Sequence, residues 1–297
     1  RVLFRSSDTK PHYSYTNSFR SLLKHKKMKI IKLLILVLFI LVLTNCEDSN
    51  SKKGTENKSP ETDREYYQLK VYTFDSEDQV ILSDKYLKEA YLPGVKRLGI
   101  NNIGVFKLRP TDTDTILKTY VLTPFSSIEQ LIGLEDQLNG DEQYLIAGSD
   151  YLNASYDQEP YGRIESTIML AFKGFPTMRP SKLNSPRAGR IYELRSYGSP
   201  TEVYLKNKVE MFNDAGEIKL FERLEFNAVF YGEVISGSIM PNLMYMTTFS
   251  DQVSRDKHWE DFGASPEWDE MKDIPKYQNN VSKFDITFLY PTEYSDY

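Results

Sequence analysis

The densest run of side chains able to do chemistry is Arg255 to Lys272, RDKHWEDFGASPEWDEMK, which holds one of the three histidines and both tryptophans of the chain among a run of acids. A histidine beside carboxylates is the raw material for proton transfer or metal ligation. Counting works against the metal. The other histidines, His12 and His25, fall in an N-terminal leader, so His258 has no second imidazole to share an ion with, and only a single-histidine haem ligand stays formally open. Beside Trp259, His258 reads first as a half-buried packing residue. No P-loop, nucleophile elbow or dinucleotide fingerprint occurs, and YGSP and ISGSIMP are turn glycines. The sequence therefore names no catalytic residue, and neither a metal nor a cofactor is expected.

The same spacing has a structural meaning. Trp259 and Phe262 are three apart on one helix that Gly263-Ala264-Ser265 ends, and Ser265 caps the next helix, with Pro266 first and Glu267 in the first turn. The stretch is expected to be a kinked helix that buries both tryptophans.

The N-terminus gives an address. Met28 to Cys46, MKIIKLLILVLFILVLTNC, has a lysine-bearing start and an apolar run from Leu33 to Leu43 that is too short to span a bilayer but suits a signal peptide. The one cysteine of the chain, Cys46, follows at once, where a bacterial lipoprotein would carry its lipid; Asn45 departs from the small residue usual before it. Residues 1–27 are expected to be upstream translation ahead of a natural start at Met28, 28–45 the signal peptide, and 46–65 a polar, flexible tether. Glu47 and Asp48 suit a surface-export signal and a plain polar linker equally. The first 45 residues hold nine of the 37 Lys and Arg and one of the 42 acids, so the remainder carries a net charge of −13, which argues against nucleic-acid partners. The expected location is the cell envelope, anchored by lipid to the outer membrane on its periplasmic or surface side. The membrane is then one partner, a small-molecule ligand a second candidate, and self-association is left open.

From about Tyr66 the chain repeats. YQLKVY at Tyr67–Tyr72 matches YELRSY at Tyr192–Tyr197, and YVLTPFSS from Tyr120 matches YMTTFSD from Tyr245, both at an offset of 125. Each half reads as strand, helix, strand, strand, helix, strand, with helix starts at Ser76, Ser126, Ser199 and Asp251. The expected fold is α+β: tandem ferredoxin-like βαββαβ units, 66–175 and 190–297, joined by a linker at 176–189 into one dimeric α/β-barrel-type domain.

YELRSY opening such a unit, with HWEDFGASPEW on its second helix, resembles the NIPSNAP family. The second half, Arg190 to Tyr290, carries the resemblance; the first is a weaker copy in which Asp141, Glu142 and Gln143 stand opposite Pro266, Glu267 and Trp268. The resemblance implies a barrel of two ferredoxin-like sheets around a central cavity, and association with membranes and vesicles without an established reaction. Other branches of that fold include cofactor-free monooxygenases and haem enzymes.

Strand alternation then proposes a cavity lining. If Tyr192 and Leu194 face the helices, Glu193, Arg195 and Tyr197 face the barrel interior, and the repeat sends Gln68, Lys70 and Tyr72 with them. Such a lining would suit an acidic or phenolic small molecule. The competing reading leaves Glu193 and Arg195 ion-paired on an open sheet face. Two functions follow: a lipid-anchored binding or interaction module, or a cofactor-independent, monooxygenase-like enzyme. A filled barrel would favour a scaffold.

Overall fold

The computed structural model describes residues 64–110 and 116–297. Cys46 and the leader, signal and most of the tether expected around it lie outside the described residues.

In the first half, β1 (Tyr66–Phe74) leads into α1 (Glu77–Tyr86). Ser76 caps α1 by accepting from the Gln79 N–H, while Gln79 Oε1 accepts from the N–H of Asp75. A π turn at Leu87–Tyr91 carries the helix on into α2 (Leu92–Arg97), followed by β2 (Gly104–Leu108) and β3 (Leu117–Phe125). The second helical region is four short pieces: α3 (Ile128–Ile132), α4 (Leu134–Asn139), α5 (Glu142–Ala147) and α6 (Ser149–Leu152). Gly133, Gly140 and Gly148 stand at the breaks, where glycine supports a helix poorly. β4 (Arg163–Ala171) closes this half.

The second half holds β5 (Ile191–Gly198), α7 (Glu202–Asn213), α8 (Glu217–Arg223), β6 (Ala228–Ser236), β7 (Asn242–Phe249), α9 (Gln252–Gly263), α10 (Pro266–Lys272) and β8 (Lys283–Pro291). Asp251 caps α9, and Ser265 caps α10 with Pro266 at its first position, as the sequence requires. Two expected caps shift. Thr201 rather than Ser199 begins α7, and Ser127 rather than Ser126 accepts the capping N–H of Gln130.

The eight strands form a closed barrel in the order β1-β3-β2-β8-β5-β7-β6-β4. Each half supplies four adjacent antiparallel strands, and two seams join them: Phe106–Leu108 of β2 on Leu289–Pro291 of β8, and β4 on β6. Closure removes the sheet edges along those seams. Inside, all eight strands contribute to one packed cluster that includes Tyr67, Phe106, Tyr192 and Phe230. Gly232 leaves room for it, since a Cβ there would stand 2.9 Å from that of Met169. The segment between the halves crosses one end of the barrel: Glu65 accepts from the Met178 N–H at 2.6 Å, Arg179 N–H donates to the Val229 carbonyl, and Met178 packs into the interior. Tyr297 enters the same cluster, its ring 5.8 Å from Phe106, and Arg187 holds the tail by donating to the Thr292 and Ser295 carbonyls. Outside, one helix layer covers each half with its own apolar cluster.

Candidate functional site

Which strand face looks inward is the first correction. Tyr67, Leu69, Tyr192 and Leu194 fill the barrel, so Gln68, Lys70, Tyr72, Glu193, Arg195 and Tyr197 lie on the outer, helix-covered side and line no central cavity. The reason is compensation. A buried charge needs donors, and those that Glu193 requires come from α9, on the helix side of the sheet.

Glu193 is fully buried. α9 presents Arg255 and Trp259, one helical turn apart, on the face toward β5. Arg255 grips the carboxylate with Nε to Oε2 at 2.8 Å and Nη2 to Oε1 at 2.9 Å, Trp259 Nε1 donates to Oε2 at 2.9 Å, and Arg195 Nε to Oε1 at 2.6 Å. Each oxygen thus accepts two N–H bonds. Burial alone would raise this carboxyl, but the bond from Arg255, the charge of Arg195 and the Trp259 N–H outweigh it and hold the pKa below the usual carboxylate value. The Arg195 guanidinium lies 3.7 Å over the Trp259 ring, and its Nη1 donates to the Tyr197 hydroxyl at 2.7 Å, which shares a 2.9 Å bond with Tyr245.

A second buried pair lies in the same layer. Lys208 of α7 donates to Glu217 at the start of α8 at 2.8 Å, both nearly solvent-free. Here burial wins over Lys208 and pushes the Glu217 carboxyl up. The competing reading of the sequence anticipates the Glu193–Arg195 ion pair, though on an open face; it does not anticipate Arg255 and Trp259 as partners, for which their i, i+4 spacing was the available signal, nor the Lys208–Glu217 pair.

The first-half residues do not join this cluster. Gln68 Nε2 donates to Ser166 Oγ at 3.0 Å, Lys70 pairs with the exposed Glu135 at 3.2 Å, and Tyr72 is buried edge-on to Tyr161. His258 packs: its ring lies 5.4 Å from Phe249 and 5.8 Å from Phe226, and Nδ1 sits against the Ser254 carbonyl. Among the described residues no group of three His, Cys, Asp or Glu could hold a metal ion, and no helix is long and apolar enough to cross a membrane.

Open space lies outside the barrel. A cleft of about 570 Å³ separates the inter-half segment from α8 and the start of β6, and a groove of about 550 Å³ runs past Lys208, Trp268 and Tyr277. Neither is lined by the six residues that strand alternation nominated.

No curated protein sequence matches the chain. Among solved structures it is similar to a candidate monooxygenase from Lactobacillus acidophilus at 11% identity and a TM-score of 0.50, over 77% of this chain and 94% of that one. A haem-binding protein from Thermus thermophilus aligns at 11% identity and a TM-score of 0.40, over 78% and 92%. A NIPSNAP family protein of unknown function from Agrobacterium tumefaciens aligns at 20% identity and a TM-score of 0.32, over 38% of this chain and 98% of that one. Of these three the first bears on the fold, and at such identity on the fold alone. Residues 192–296, the stretch that holds the Glu193 cluster, match the model of the NIPSNAP family.

Proposed function

We propose that the chain is a lipid-anchored envelope protein whose barrel works as a binding or interaction module and not as an enzyme. The observation that carries this reading is the state of Glu193. A carboxylate whose oxygens accept four N–H bonds and whose pKa is lowered has neither a free lone pair nor a proton to offer a substrate. Side chains from all eight strands meet inside the barrel, which favours a filled scaffold over a reaction chamber. The anchor rests on Cys46 and its position directly after the apolar run. The two halves are taken as tandem copies of one ferredoxin-like unit, supported by the shared offset of 125 and by the same strand order in each, β4-β1-β3-β2 and β8-β5-β7-β6. The alternative, a cofactor-independent oxygenase, has only likeness of fold behind it, and one fold hosts many activities.

The full chain, purified from membranes and analysed by mass spectrometry, is expected to release a bound small molecule unaltered after incubation in air. Cys46→Ala is expected to abolish labelling by a fatty-acid probe. Oxidation of the released molecule by the protein would replace the binding module with the enzyme, and equal labelling of Cys46→Ala and the parent chain would remove the anchor.

A further inference from the structure

We propose that the cleft between the inter-half segment and the α8–β6 turn binds a small aromatic carboxylate. This rests on the binding-module reading and gives it a site and a ligand class. At about 570 Å³ the cleft falls in the size range of small-molecule sites, roughly 300 to 1,000 Å³. Its apolar walls include Phe175, Phe221 and Tyr231, all fully buried, with Phe175 and Tyr231 edge-to-face at 5.2 Å. A ligand ring that displaces the Arg179 guanidinium from the face of Phe175 would make there the offset or edge contact that such rings prefer.

The charge at the rim selects the head group. Two cations of the inter-half segment, Arg179 and Lys182, line the cleft. The Arg179 guanidinium lies 4.0 Å over the Phe175 ring and donates to Glu222 at 3.2 Å, both partners about half exposed, so solvent weakens the pair and leaves the guanidinium open to exchange. Lys182 is exposed and, among the described residues, has no hydrogen bond or ion pair. Two acids also line the cleft. Glu222 is engaged by Arg179, and Glu225 sits in a left-handed turn whose carbonyl accepts from Asn227 at 2.7 Å. A cationic ligand would meet two cations and one unengaged acid, whereas a carboxylate meets, against that same acid, one unpaired lysine and one loosely held arginine able to take it in a bidentate grip. Tyr231 adds a polar group: its buried hydroxyl has no hydrogen-bond partner, with Glu217, Glu222 and Arg179 as the charges that bear on it. The first half cannot match this cleft, because the segment that builds one wall occurs once.

The test titrates the full chain with benzoate, 4-hydroxybenzoate and the neutral benzamide by calorimetry, with chromatography of each probe afterwards. Both carboxylates are expected to bind saturably at one site, and benzamide about tenfold more weakly or less. Arg179→Gln and Lys182→Met, at exposed positions, are each expected to weaken benzoate about fivefold, and Glu222→Gln, which frees Arg179, to tighten it. Equal affinity for benzamide, unchanged benzoate affinity in the Arg179→Gln/Lys182→Met double variant, or no saturable binding of any probe would each overturn the cleft as this site. Chemical conversion of a probe would overturn the non-catalytic reading alone.

Discussion

Glu193 has an ionised side chain with no solvent contact and four donors supplied by three residues, two of them about 60 positions away along the chain. Removing one partner of such a group leaves an uncompensated charge and typically costs about 3 to 5 kcal/mol, whereas neutralising both sides costs far less. Arg255→Met removes two of the four donors but leaves Arg195 on Glu193, and is expected to cost less, about 1 to 3 kcal/mol, in urea titrations near neutral pH, whereas Glu193→Gln strands the mostly buried Arg195 and is expected to cost the full amount. The sign with pH follows from the lowered folded pKa. The cluster contributes stability above the unfolded carboxylate range and loses it as pH falls through the folded value of Glu193. The deficit of Arg255→Met should therefore shrink toward acid pH, where protonation of Glu193 removes the charge that Arg255 helps to compensate. A deficit that stays constant down to unfolding would mean that Glu193 is not ionised in the native state.

Among the helices, α9 and α10 show what the tryptophans do. Trp259 packs on Phe226 at 4.8 Å and Trp268 on Phe262 at 4.7 Å, across the corner that Ser265 caps. Both rings are half-buried, and Trp259 also serves the Glu193 cluster. Trp268→Ala is therefore expected to cost about 2 to 3 kcal/mol, below the 3 to 5 typical of a fully buried aromatic, and to lower the melting temperature without changing probe binding at the cleft. Retained stability with lost binding would show that Trp268 belongs to a site. Much at this scale was legible in the sequence because its rules are local. Asp251, Ser265 and Pro266 set their helix ends through contacts within four residues, whereas the second helical region of the first half, read from the sequence as one helix, breaks at three glycines. The facing of Glu193 was not legible. Alternation separates Tyr192 and Leu194 from Glu193 and Arg195 but leaves open which set turns inward, and the answer depended on Arg255, brought opposite only when α9 packs across the sheet of the second half.

For the whole molecule, the interior cluster draws on both halves, so either half alone would expose an aromatic face larger than monomers tolerate. The fragments Tyr66 to Gly174 and Arg190 to Tyr297 are expected to aggregate or self-associate when expressed separately and to form a heterodimer when mixed, as read by light scattering. A stable soluble monomer from either fragment would show that the seams are not needed for folding. The segment that spans the barrel end has a further consequence. Because it ties the two halves into one chain, seam closure is a first-order event, and the barrel should keep its form on dilution, where one assembled from two chains would dissociate. It also frees the halves from the equivalence that symmetry imposes on identical subunits. Glu193 has its two arginines while Gln68, at the offset of 125, bonds Ser166 instead, and whatever occupies the cleft should be counted at one molecule per barrel rather than two.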